Sequence, residues 1–70
     1  MNQTKEFSWW IEILTDNPMY LYYFGEFNHY WEAESSKNGY IQDLKEEKAE
    51  IVDVKIGIYE PKETTIPIIS

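Results

Sequence analysis

The stretch of sequence that decides the fold lies near the start of the chain, where large apolar residues alternate with others. It reads Phe7-Ser8-Trp9-Trp10-Ile11-Glu12-Ile13-Leu14. Every odd position is large and apolar, whereas the even positions are mixed, and this alternation is typical of a half-buried β-strand. We therefore predict a first strand whose inner face packs on a core and whose outer face carries Trp10.

A second strand is predicted directly after a turn at residues 15–18. The turn holds Asp16 and Asn17, whose short side chains bond locally, and Pro18, which fixes φ. Residues 19–24 then form a run of Met, Tyr, Leu and Phe that Gly25 ends. Two strands joined by so short a turn are expected to form an antiparallel hairpin.

The middle of the chain changes to helical spacing. Asn28 stands where this spacing begins and is predicted to be the helix N-cap. Residues 29–48 are predicted to form one bent helix or two short helices, because Asn38-Gly39 is a helix-breaking pair.

Alternation returns between Ile51 and Tyr59, which predicts a third strand. Its apolar face is predicted to carry Val52, Val54, Ile56 and Ile58. Pro61 ends this strand, and the arm of residues 61–70 is extended by composition. Two alternatives stay open for the arm, since it either hangs loose or docks across a sheet, on this chain or on another.

These elements predict one small α+β domain. We expect a three-stranded antiparallel sheet in the chain order β-β-α-β, packed on one face by the helical segment, with the strand order open. Residues 1–6 are expected to be a flexible N-terminus, residues 7–60 the domain, and residues 61–70 an extended C-terminal arm. A chain of 70 residues buries a smaller share of its surface on folding than a longer chain does. Its aromatic content of 17% compensates, because aromatic side chains add large buried area to the core.

Charge and composition exclude several classes of function. Thirteen acidic residues against six lysines give a formal net charge of −7, and phosphate backbones are repelled by such a chain, so nucleic-acid binding is not expected. No apolar run reaches the roughly 20 residues of a membrane span. The start of the chain lacks the pattern of a secretory signal, and Cys is absent, so we expect a cytoplasmic protein.

Catalytic and metal-binding patterns are also missing from the sequence. His29 is the single histidine, and no serine lies in a nucleophile motif. We therefore expect neither an enzyme nor a cofactor or metal site. An acidic face is predicted at Asp43, Glu46, Glu47 and Glu50. It lacks the spacing of a calcium loop, so it is expected to be solvated or to meet a basic partner.

The surplus of aromatic residues is the main functional signal. If the odd positions of the first strand face the helix, Trp10 points to the open side of the sheet, and Tyr20 with Tyr22 or Tyr23 is expected beside it. The predicted partner-binding residues are Trp10, Tyr20, Tyr22, Trp31, Ile66 and Ile68. The alternative is that the arm covers this side or that a bulge reverses the alternation. The leading hypothesis is a small acidic adaptor that binds a protein partner, with homodimerisation as its nearest variant.

Two other hypotheses remain open. Acidity allows an inhibitor that mimics nucleic acid, and flat aromatic side chains allow a small-molecule or pigment-binding domain.

A set of short motifs in fixed order resembles a known family. The motifs are Trp9-Trp10, Tyr22-Tyr23-Phe24-Gly25-Glu26-Phe27, Glu32-Ala33-Glu34, Gly39-Tyr40-Ile41-Gln42-Asp43-Leu44, Glu47-Lys48-Ala49, Glu60-Pro61-Lys62 and Thr65-Ile66. Over residues 9–66 the chain resembles the domain-of-unknown-function family numbered 1816. The resemblance implies a cyanobacterial or cyanophage source and a photosynthetic cell, and it implies no activity.

The chain departs from the family pattern at two positions. Glu26 stands where a proline is usual, and Lys48 stands where a glycine is usual. The second departure matters for the helix end, because a lysine adopts positive φ there only at a cost in free energy that a glycine does not have.

Overall fold

The computed structural model describes residues 8–68, which form four strands and one helix. The elements are β1 (Ser8–Asp16), β2 (Tyr20–Phe27), α1 (Tyr30–Glu46), β3 (Glu50–Tyr59) and β4 (Thr65–Pro67). The strands make one antiparallel sheet in the order β3-β1-β2-β4. The predicted α+β class is confirmed, but the sheet has four strands instead of three. The predicted flexible N-terminus at residues 1–6 lies outside the described residues.

The hairpin between β1 and β2 closes around Thr15. This side chain is buried, and its hydroxyl accepts a hydrogen bond from the N–H of Tyr20 at 3.3 Å and lies 3.3 Å from the carbonyl oxygen of Pro18. The Asp16 carboxylate accepts from the N–H of Asn17 at 2.8 Å. Asn17 adopts a φ of 62°, a conformation that Asn tolerates better than most residues. The peptide bonds Asn17–Pro18 and Gly25–Glu26 are cis.

Two β-bulges change which side chains share a face. Between Trp9 and Ile11 the partner strand advances three residues, from Phe27 to Phe24, so β2 carries an extra residue. Between Leu14 and Thr15 the partner strand advances two residues, from Asp53 to Ile51. The extra residue there is Val52, which is 55% exposed. The prediction that Val52 lies on the packed face of β3 is therefore wrong, because the bulge leaves Val52 without a ladder partner and interrupts the alternation of the strand.

The core lies between one face of the sheet and α1. Its buried side chains are Ile11 and Ile13 from β1 and Ala33 and Leu44 from α1. Around them pack half-buried residues from β2, α1, β3 and the turn between α1 and β3, namely Tyr22, Phe24, Phe27, Tyr40, Ile41, Ala49, Ile51, Val54 and Ile56. The opposite face of the sheet carries no helix within the described residues.

The helix is continuous through the predicted break. Gly39 costs about 1 kcal/mol relative to alanine inside a helix, but the residues after it pack well. Tyr40 stacks on Phe24 with ring centroids 4.3 Å apart, and Leu44 is buried. Tertiary packing thus outweighs the local preference of Asn38-Gly39, and one helix forms.

The start of the helix is also one residue later than predicted. The N-cap is His29 rather than Asn28. The carboxylate of Glu32 accepts hydrogen bonds from the N–H of Asn28 at 3.0 Å and of His29 at 3.3 Å. Glu32 occupies the third helical position, from which a carboxylate can satisfy the N–H groups before the helix. The Glu32 carboxylate therefore stabilises the first turn of α1.

The helix ends in a Schellman motif at Lys48. The N–H of Lys48 donates to the carbonyl of Lys45 at 2.9 Å, and the N–H of Ala49 donates to that of Leu44 at 3.0 Å. Lys48 adopts a φ of 71°, the left-handed conformation that this motif requires. Lys48 therefore holds a conformation that glycine adopts without strain.

The C-terminal arm extends the sheet at the edge of β2. Leu21 pairs with Ile66, and Tyr22 pairs with Thr65. Two further bonds flank the short strand, from the N–H of Tyr23 to Thr64 and from the N–H of Ile68 to the carbonyl of Met19. The described part of the arm is therefore neither loose nor laid across the strands, since β4 lies beside β2. No helix among residues 8–68 is long and apolar enough to cross a membrane.

Candidate protein-binding face

The sheet has an open face, which is the side turned away from α1. Because Ile11 and Ile13 point into the core, the residues between and beside them point to the opposite side. Strand pairing then places the neighbours of these residues on the same side. The open face carries Trp10, Glu12, Leu14, Leu21, Tyr23, Asp53, Lys55, Tyr59 and Ile66.

Trp10 rests on Gly25 of the neighbouring strand. A Cβ atom built on Gly25 would lie 2.8 Å from Cε3 and 2.9 Å from Cδ2 of the indole. On the other side of Trp10 its β3 partner is Gly57, which lies under the ring of Tyr59, since a Cβ there would be 3.0 Å from the phenol oxygen. The two glycines let large rings lie low on the sheet, so Trp10 and Tyr59 are half-buried.

The centre of the open face holds a hydrogen-bonded pair. The hydroxyl of Tyr23 donates to Oε2 of Glu12 at 2.7 Å, and the ring of Tyr23 meets that of Tyr59 edge-on at 5.4 Å. Burial, followed by the hydrogen bond to Glu12, raises the pKa of Tyr23 to about 12. Burial, followed by the nearby Glu12 charge, also raises the pKa of Tyr59. Both phenols are therefore neutral at pH 7.

An apolar strip completes the open face towards the β4 edge. Leu14 pairs with Leu21, and Leu21 pairs with Ile66, so three strands contribute one apolar side chain each. All three are half-buried. The docked arm therefore adds Ile66 to the open face.

The residues predicted to bind a partner lie on different surfaces of the structure. Trp10 and Ile66 lie on the open face as expected. Tyr22 instead packs against the core, because its β1 partner is the inward-facing Ile13. The ring of Tyr20 lies 5.8 Å from that of Tyr22 and belongs to the same side. The expected place of Tyr20 and Tyr22 beside Trp10 is therefore wrong, and Tyr23, the other alternative, occupies it.

Trp31 belongs to a second aromatic surface at the start of α1. It is 63% exposed, and its ring stacks on His29 with centroids 6.0 Å apart. Next to it Tyr30 contacts Trp9 edge-on at 5.4 Å, and Ile58, the strand partner of Trp9, is exposed. We call Trp9, Tyr30, Trp31 and Ile58 the helix-start patch. Ile68 lies elsewhere, beside Met19 at the hairpin end, and is exposed.

The predicted acidic face exists as an exposed set of carboxylates. Asp43, Glu46, Glu47 and Glu50 follow the last turn of α1 into β3, and all four are exposed. Burial and then the charge of Glu47 raise the pKa of Tyr22. Among residues 8–68 no group of three or more His, Cys, Asp or Glu side chains is arranged to hold a metal ion.

A groove runs beside the helix. It has a volume of about 380 Å³ and is lined by Ser35, Ser36, Gly39, Tyr40 and Asp43. All five come from α1, so the groove runs along one helix and is open to solvent. It brings together no pair of groups suited to acid–base or nucleophilic chemistry.

The sequence pattern predicted only part of the open face. Tyr23 was one of two alternatives, whereas Glu12 and Tyr59 were not selected. In the sequence, Gly57 stands on the polar face of the predicted third strand, and Gly25 directly follows the predicted second strand. Small residues on both sides of Trp10 were therefore a signal that could have located the open face. The register that joins them depends on a bulge, which the alternation does not reveal.

A family model described as Domain of unknown function (DUF1816) matches residues 2–66. The chain belongs to this family. The match covers the whole sheet except the last residue of β4, together with α1, so the DUF1816 fold includes the open face and most of the docked arm. Neither the curated proteins nor the solved structures compared with the chain gave a match.

Proposed function

We propose that this DUF1816 protein is a small, acidic, non-enzymatic module that binds a protein partner through the open face. The observation that carries the proposal is the composition of that face. An antiparallel sheet with one solvated side usually presents polar residues there. Here the central strand presents Trp10 and Leu14, and its neighbours add Leu21, Tyr23 and other apolar or aromatic side chains.

The chemistry of the open face suits recognition of a protein surface. Tryptophan and tyrosine are enriched at binding hot spots because they bury large area while losing little conformational freedom. The Tyr23–Glu12 hydrogen bond fixes two of the side chains in place, which lowers the ordering cost of binding. A net charge of −7 favours a basic partner, whose association it would accelerate. The setting implied by the family resemblance is a photosynthetic cell.

The proposal is tested by comparing what four forms of the protein retain from a lysate of the source cells. Trp10→Ala removes the largest ring of the open face. Leu14→Gln changes the same face without disturbing the contact with Gly25, so it covers the case in which Trp10→Ala fails to fold. Trp31→Ala is the matched control, because it removes an exposed tryptophan from the helix-start patch. Circular dichroism establishes that each variant is folded.

We expect both open-face variants to lose proteins that the wild type and Trp31→Ala retain. Equal retention by all four forms would overturn the proposal. Loss of these proteins with Trp31→Ala alone would indicate that the partner binds the helix-start patch instead.

A second candidate is the nucleic-acid mimic, favoured by the exposure of all four carboxylates of the acidic face. Its complexes would weaken steeply with salt, and the double variant Glu46→Gln, Glu47→Gln would weaken them further. A complex that keeps its affinity in high salt and in this variant argues against the mimic.

A further inference from the structure

We infer that the outer edge of β3 pairs with the same edge of a second copy, in antiparallel register centred on Val54. This contact goes beyond the proposed function, since it uses a strand edge and leaves Trp10, Leu14 and Tyr23 of the open face free. Strand order places β3 at the side of the sheet opposite β4. Within residues 8–68 no strand pairs with its outer edge.

The edge is long enough to carry an interface. β3 has 10 residues, whereas strands of about 5 or 6 residues are commonest. The other edge of the sheet is formed by the three residues of β4, and one of them is Pro67. Proline and short length are ordinary protections of a sheet edge, and β3 contains no proline.

The N–H of Val54 points away from β1. The N–H of Val54 donates to Oδ1 of the preceding Asp53 at 3.0 Å. An N–H bonded to its own neighbour's carboxylate does not take part in the ladder with β1. Strand pairing gives the direction. The N–H of Tyr23 points to Thr64 in the arm, so its neighbour Tyr22 bonds to Ile13 on β1. Val54, the β3 partner of Ile13, therefore turns its N–H and its carbonyl towards the free edge. Pairing with a second copy would replace the bond to Asp53 by one from the Val54 N–H to the Val54 carbonyl of the copy.

The charges next to Val54 are self-complementary. In an antiparallel pair related by a twofold axis, the positions of opposed residues have a constant sum. With Val54 opposite its own copy, Asp53 of each chain lies opposite Lys55 of the other on the open side. The two side chains are exposed, and within one chain Lys55 Nζ lies 3.7 Å from Asp53 Oδ2. In the dimer, Asp53 and Lys55 of one chain each lose this contact and face the oppositely charged residue of the other chain.

The same register also covers exposed apolar surface. Val52, which is 55% exposed, comes opposite Ile56 of the other copy. The pairing thus removes from water the exposed residue at the bulge. A lysine alone is enough to prevent a strand edge from pairing, because it repels the same lysine of a second copy. The opposite charges of Asp53 and Lys55 on either side of Val54 are therefore better explained by pairing than by its prevention.

A charge-swap experiment on the full chain tests this inference. Asp53→Lys places lysines at both positions, and Lys55→Asp places aspartates at both. Each variant alone sets like charges opposite each other across the axis, whereas a 1:1 mixture restores two attractive pairs. Light scattering across a concentration series measures the mass of each sample, and circular dichroism verifies folding.

We expect a concentration-dependent dimer for the wild type, with self-association at least about tenfold weaker for each variant alone. The mixture should regain the dimer. A wild type that stays monomeric up to millimolar concentration would overturn the inference, as would a mixture no more associated than its components. Neither result affects the open-face proposal, which the variants of Trp10 and Leu14 test separately.

Discussion

At the scale of single residues, Gly25 lies beneath the indole of Trp10 and leaves no room for a side chain. We expect Gly25→Ala to destabilise the protein by about 1–3 kcal/mol, the usual cost of forcing a methyl group into a packed site. A Cβ would lie 2.8 Å from the indole and 3.1 Å from the carbonyl oxygen of Trp9. Tryptophan fluorescence during urea unfolding measures the change.

The control for this variant is Gly39→Ala. A Cβ at Gly39 meets nothing within 4 Å, and alanine favours the helix by about 1 kcal/mol. We expect a rise in stability, so two identical substitutions should shift the midpoint in opposite directions. Equal effects would contradict the close contact between Gly25 and Trp10.

The phenol of Tyr23 makes stability depend on high pH. Its pKa rises from an ordinary value of 10.0 to about 12 in the folded chain. The folded state therefore keeps a proton that the unfolded state loses first. The stabilisation that this difference in pKa provides is complete below about pH 10 and is lost as the pH rises through 12. We expect Tyr23→Phe to show a smaller loss of stability between these values.

Chemical unfolding at pH 8, 10 and 12 checks this expectation. The wild type provides the reference at each pH, because other tyrosines also ionise in this range. The same pH dependence in Tyr23→Phe and in the wild type would count against the raised pKa of Tyr23, which comes from burial and then from the hydrogen bond to Glu12, as its cause.

At the scale of elements, the end of α1 is held in a conformation that its sequence does not favour. Lys48 has a φ of 71°, and a side chain in this region costs about 1 kcal/mol relative to glycine. We expect Lys48→Gly to stabilise the protein by about 0.5–1 kcal/mol. The midpoint of denaturant unfolding should rise while its slope stays constant.

Lys45→Gly makes the same substitution one turn earlier, inside the helix. Glycine is unfavourable there by about 1 kcal/mol, so this variant should be less stable than the wild type. A gain in both variants would indicate that loss of lysine, and not the backbone conformation, is responsible.

The docked arm protects the edge of β2. A chain that ends at Glu63 lacks β4 and the acceptor on Thr64 for the N–H of Tyr23. We expect amide exchange at Tyr23 to accelerate by at least about tenfold, while the amides between β1 and β3 change little. NMR exchange measurements on both chains test this. Uniform acceleration at all sites would instead indicate that the whole domain has lost stability.

The success of sequence reasoning differs between these elements for physical reasons. The β1–β2 hairpin and the helix were predictable because side-chain period and turn residues both reflect local geometry. The fourth strand was not, since three residues show no period and pairing with β2 is a long-range contact. On the candidate face Trp10 followed from alternation alone. Tyr20 and Tyr22 were misplaced because the inward or outward direction of β2 is set by its pairing with Ile13 and Ile11.

At the scale of the whole molecule, a chain of this size has one thin core. Ile11 and Ile13 are fully buried in the central strand. Replacing a buried isoleucine by alanine typically costs about 2–5 kcal/mol, and small proteins are stable by only about 5–15 kcal/mol. We expect Ile11→Ala to lower the Tm by at least about 10 °C, as measured by thermal circular dichroism.

Val52→Ala is the comparison for this variant. It removes the same type of side chain from a strand, but Val52 is 55% exposed, and surface changes usually stay within about 0.5 kcal/mol. A similar loss in both variants would contradict a core confined to one face of the sheet.

The position of Ile66 has a consequence for the whole molecule. The arm places this residue on the open face only while β4 is paired with β2. A ligand that touches Ile66 and Trp10 together would bind the closed form in preference to an opened one. By thermodynamic linkage it would keep β4 paired with β2, and removing β4 would weaken its binding by the same factor. The short strand β4 would then act as an allosteric element, although it lies at the rim of the sheet.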